Sequence, residues 1–138
     1  MATGAHAEVP TSARERLAAI ARLVEEACAD ADGYTLVRIV AHEQNVELGL
    51  LPLEGHPCEE LTGFIAPPDW WAVGLVTRGR ARFLDQPDRP PEPIVSSYFV
   101  ERSGHAISFL RRGAEVTEPS EPLVGRIPDL CRSMLGLT

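Results

Sequence analysis

The chain reads as a single α+β domain, an antiparallel sheet of about five strands flanked by N- and C-terminal helices. Three observations predict this. An amphipathic helical stripe opens the chain, several short β-rich segments follow with turn residues between them, and a second amphipathic stripe closes it. At 138 residues, with 44% apolar and 24% charged side chains, it has the composition of one ordinary globular domain.

Residues 1–11 read as a leader, with the domain spanning 12–138. Ser12 and Glu15 have the Ser-x-x-Glu spacing of a capping box, so the first helix is expected to start there. Leu17, Ile20, Ala21, Val24, Ala27, Cys28 and Ala31 recur at helical spacing and form its buried stripe. Cys28 lies on that stripe and reads as core rather than nucleophile. Gly33 is a natural stop. The adjacent pairs Glu25-Glu26 and Glu59-Glu60 diverge by about 100° on a helix. They therefore read as solvated faces rather than acid–base pairs.

Tyr34–His42 is short and β-branched, and Val46–Leu53 alternates Val46, Leu48 and Leu50 with Glu47 and Gly49. With His-Glu-Gln-Asn between them, the two form a hairpin. Glu54-Gly55-His56-Pro57 turns the chain. Cys58–Phe64 suits a short helix, which Pro67-Pro68 ends. Trp71–Leu84 is the clearest β segment. Period two puts Arg78, Arg80 and Arg82 on one face and Val73, Leu75 and neighbours on the other. A bent strand at Gly79, rather than a hairpin turn there, keeps that alternation. Asp85–Pro93 carries four of the 12 prolines and reads as a loop. Ile94–Arg102 and His105–Arg112 make a hairpin around Ser103-Gly104, 113–122 is a polar connector, and Ile127–Leu135 is the closing helix with Pro128 in its first turn. This order of elements resembles the small sheet-and-helix modules of the profilin, roadblock and PAS/GAF-like group. The resemblance is one of element order alone, and no site residue is carried over from it.

Net charge is −7, and all 13 basic residues are Arg, which fits the coding bias of a GC-rich genome. Residues 67–112 nonetheless carry 7 Arg against 5 acids, a local surplus able to hold an anion. An acidic chain without a basic tail argues against general nucleic-acid binding, which runs on phosphate neutralisation. No apolar run approaches the ~20 residues of a membrane helix. Three widely spaced cysteines, Cys28, Cys58 and Cys131, argue against a disulfide framework and for the cytoplasm.

The chemistry-bearing residues are few. His42, Glu43, His56 and Cys58 are of zinc-ligand type, but a hairpin places His42 and His56 at opposite ends, and no closed-site spacing is present. Ser96, Ser97, Ser103 and Ser108 with His105 lack any nucleophile elbow. No phosphate loop or dinucleotide fingerprint occurs, and no cofactor is expected. The leading expectation is a non-enzymatic interaction or regulatory module. It would bind an acidic protein partner or a small anion through Trp70, Trp71, Arg78, Arg80 and Arg82, and self-association suits so small a domain. The alternative is a small-ligand sensor with an aromatic pocket at Trp71, Tyr98 and Phe99. A metal-dependent enzyme built on His42, His56 and Cys58 stands third.

Overall fold

The computed structural model describes residues 13–43, 45–82, 85–119 and 123–137. The expected leader, Ser12 of the capping box, and Phe83 and Leu84 at the end of the expected strand lie outside the described residues. Helix α1 (Ala13–Ala27) is followed by strands β1 (Tyr34–Ala41) and β2 (Val46–Leu53), a one-turn helix α2 (Pro57–Glu60), strands β3 (Trp70–Ala81), β4 (Glu92–Glu101), β5 (Ala106–Arg112) and β6 (Glu115–Thr117), and helix α3 (Arg126–Met134). All strands join one antiparallel sheet in the order β2-β1-β3-β4-β5-β6.

The fold class is as the sequence predicts, with six strands in the sheet. The two terminal helices lie on opposite faces of the sheet. On one face Leu17, Ala21, Val24 and Cys28 of α1 pack on Val37, Ile39, Val76, Phe99 and Phe109. On the other, Cys131, Met134 and Leu135 pack on Leu36, Val73, Leu75, Tyr98 and Val100. Burial on both faces explains why Ala72 to Val76 are all buried, whatever their parity. A sheet covered on both sides loses its alternation at the centre. Only past Val76, where cover ends, does β3 turn polar.

β3 runs unbroken through Gly79, which pairs in register with Ile94, so no hairpin turn forms there. Several strand ends lie a residue or two from their expected bounds, β4 starts at Glu92, inside the expected loop, and the short β6 is an added strand. The register break lies elsewhere. Ile39 pairs with Ala72 but Val40 with Trp70, leaving Trp71 as the extra residue of a β-bulge. Strand alternation sends the adjacent indoles to different layers, and the bulge leaves Trp71 on the same side as Ala72. Trp70 joins the α3 side against Phe64, with ring centroids 5.6 Å apart. Trp71 packs on the α1 side, under the Arg16 guanidinium at 5.4 Å. Arg102 holds this corner, donating to the carbonyls of Trp70 (2.6 Å) and Pro67 (2.8 Å). Gly74 permits close packing at the sheet centre: a Cβ there would stand 2.3 Å from the Phe99 ring.

Candidate functional site

The arginines of the row are engaged unequally. Arg78 is already engaged: its Nε donates to the Ala31 carbonyl at 3.0 Å and its Nη2 to the Ala29 carbonyl. It thereby satisfies the carbonyls that follow α1, a C-terminal capping role that suits a cation. Arg80 reaches the Pro91 carbonyl at 3.2 Å, and Arg82 is exposed beyond the strand end. A cavity of about 250 Å³ does touch Arg78 and Arg111, but Arg111 is paired with Glu25 by two 2.7 Å bonds. The two tryptophans join neither: Trp70 is buried and Trp71 half-buried at the far end of β3.

The zinc-type residues also stay apart. The His42 ring lies 3.4 Å from Glu47. His56 sits at the start of α2, where its Nδ1 accepts the Cys58 N–H at 3.1 Å. Among the described residues no three His, Cys, Asp or Glu side chains group as a metal site. The aromatic trio divides as well. Phe99 faces α1 and is fully buried, Trp71 is on that same side, and Tyr98 faces α3.

Of the trio, Tyr98 borders a cavity among the described residues, and that cavity is the candidate site. It measures about 360 Å³, within the size range of small-molecule sites. Its floor is the open end of the α3 side of the sheet: Leu75 and Thr77 from β3, Ser96 and Tyr98 from β4. Its walls are His56 and the first turn of α3, Arg126 to Pro128, with Leu123 and Val124 at the rim. Val124 is 91% exposed. A neighbouring hollow of about 450 Å³ shares Tyr98, Leu123, Val124 and Pro128 and adds His105, Asp129 and Arg132.

The polar groups of the cavity are chiefly donors. Because His56 Nδ1 accepts a backbone N–H, the neutral ring carries its proton on Nε2. Thr77 spends its hydroxyl on the Ser96 carbonyl at 3.3 Å. No partner is recorded for the Arg126 guanidinium among the described residues. α3 begins at Gly125, whose φ of 131° only glycine adopts without strain, and which offers no side-chain cap to the helix amides. Burial, and next the adjacent Cys131 thiol, push the Tyr98 phenol up against the opposing effect of its bond with Arg132, so Tyr98 is a neutral group here. Among the described residues none of the lining side chains is acidic, in a chain with 20 acids. The arrangement suits a small ligand with an anionic head at Arg126 and an apolar body along Leu75, Ile127 and Pro128.

Sequence reasoning placed Tyr98 near a pocket but missed His56, Thr77, Ser96 and Arg126 as its neighbours. They come from four separate segments, and no local spacing encodes their convergence. No family model, no curated protein and no solved structure matches the chain.

Proposed function

We propose that this protein is a non-enzymatic ligand-binding module, whose ligand is a small organic anion with an apolar body. The observation that carries the reading is the cavity at Arg126, His56 and Tyr98, whose described lining holds no acid, on a protein of net charge −7. A lone guanidinium beside apolar walls selects a carboxylate or phosphate ester through charge-assisted hydrogen bonds. The Arg-row interaction reading has less support, because Arg78 is committed to the end of α1. Three free thiols, two of them buried, support a reducing, cytoplasmic setting.

Native mass spectrometry of untagged protein tests for a retained ligand. Calorimetry with hexanoate and hexanol as probes then tests the chemistry. Hexanoate is expected to bind, and Arg126→Gln to weaken it by about tenfold. Equal binding of hexanol and hexanoate, or hexanoate binding that survives Arg126→Gln unchanged, overturns the proposal.

A further inference from the structure

The two edges of the sheet differ. One ends in β6, a strand of 3 residues. The other is β2, a strand of 8 residues paired on one side only among the described residues. Edge strands of that length are normally blunted by charge, proline or a bulge. β2 is blunted only at its end. The His42 N–H bonds the Asn45 carbonyl at 2.8 Å, and the register continues through Val40–Glu47 and Arg38–Gly49. Antiparallel bonds alternate along the ladder. The backbone groups of Val46, Leu48 and Leu50 therefore point outward to the open edge, and Pro52, the next outward position, has no N–H. The same residues carry their side chains on the α1 face, where Leu48 is 42% and Leu50 44% exposed.

Charge on the opposite face is also unfinished. Arg38 lies across Gly49, so that a Cβ on Gly49 would stand 2.3 Å from its Nε. That Nε is buried with no hydrogen-bond partner among the described residues. Among the described residues the Arg38 Nη2 has only Glu47, on the neighbouring strand β2 of the same copy, at 3.6 Å.

We propose that a second copy of this chain completes the edge, the two β2 strands running antiparallel about a two-fold axis at Leu48. Leu48 then faces the partner's Leu48, and Val46 faces the partner's Leu50. Each of the three outward donors of one copy meets an outward carbonyl of the other. Leucine and valine side chains line the new seam on the α1 face. On the α3 face Glu47 stands opposite the partner's Gly49, over which the partner's Arg38 lies, so each carboxylate gains a second guanidinium. Neighbouring registers lose this. An axis at Glu47 opposes the two carboxylates, and an axis at Gly49 brings the two Arg38 side chains together. Like charges directly opposite are destabilising in a sheet. The interface is isologous, as closed two-fold dimers require, and it does not depend on the cavity.

Sedimentation equilibrium of the full chain is expected to show a dimer. Leu48→Pro removes an outward N–H that makes no bond within its own ladder. It should leave the far-ultraviolet dichroism unchanged and weaken the dimer by about tenfold or more. Glu47→Arg and Arg38→Glu should each be monomeric, and their mixture should form the heterodimer. In a Cys58→Ser background, oxidation should cross-link Leu48→Cys and not Leu50→Cys. A monomeric native chain, a dimer indifferent to Leu48→Pro, or cross-linking of Leu50→Cys in place of Leu48→Cys overturns the proposal.

Discussion

Glu25 and Arg111 form a two-bonded ion pair that ties α1 to β5, with both contacts at 2.7 Å. Glu25 is 0% exposed. The adjacent Glu26 remains exposed, so the expectation of a solvated Glu25-Glu26 face is corrected for its first member. The reason is geometric: position 25 follows Ala21 by four residues and precedes Cys28 by three, which places it on the buried stripe.

Removing Arg111 leaves the buried Glu25 carboxylate without its counterpart, and removing Glu25 does the same to the partly buried Arg111 guanidinium. Glu25→Gln is expected to cost about 3 kcal/mol in urea unfolding, and Arg111→Met a similar amount. The double variant Glu25→Leu with Arg111→Met should recover most of that loss, because two apolar groups need no partner.

Arg78 and its neighbours should behave unequally. Arg78→Met uncaps the Ala29 and Ala31 carbonyls and is expected to lower stability by about 1–2 kcal/mol. Arg80→Met and Arg82→Met should stay within about 0.5 kcal/mol of the native protein. Equal effects at all three positions in a denaturant series would contradict the capping role.

Glu101 makes the protein sensitive to acid. Burial alone would raise its carboxyl, but bonds from the Ser103 hydroxyl and the His105 and Ser103 amides outweigh it and hold it below its ordinary 4.5. A folded value below the unfolded one contributes stability that is complete above 4.5 and is lost as pH falls through the folded value. The thermal midpoint should therefore drop on acidification below 4.5. Ser103→Ala, which removes one of those bonds, should make that drop shallower.

The three thiols should react in two classes. Burial, then the nearby Cys58, push Cys131 up to about 12; burial, then Glu25, raise Cys28. Cys58 is partly exposed. In mildly alkaline buffer an alkylating reagent should label Cys58 in the native state. Cys28 and Cys131 should become reactive only in denaturant, read by intact mass.

Much of the element order was legible because each signal is local. Val46–Leu53 falls on its observed bounds, and α3 lies one residue from its expected span. What failed was non-local. Parity along β3 was read as one apolar face and one Arg face, whereas cover from both helices hides both parities up to Val76. The period-two rule also assumes an unbroken register, and the bulge at Trp71 breaks it. β6 is too short to carry a pattern of its own: it forms because Val116 pairs with Arg111 across the turn. The candidate site was the least legible part. His56, Thr77, Tyr98 and Arg126 are joined only by the folded sheet.

The placement of Trp70 and Trp71 on opposite faces of the sheet has an optical consequence. The chain has two indoles, and they report on different halves of the molecule. Trp70→Phe leaves an emitter beneath a guanidinium in the α1 layer; Trp71→Phe leaves one beside Phe64 in the α3 layer. Emission from the two single-tryptophan proteins can thus follow the loosening of each helix separately. A ligand seated against α3 should stiffen the environment of Trp70 while leaving the colour of Trp71 unchanged.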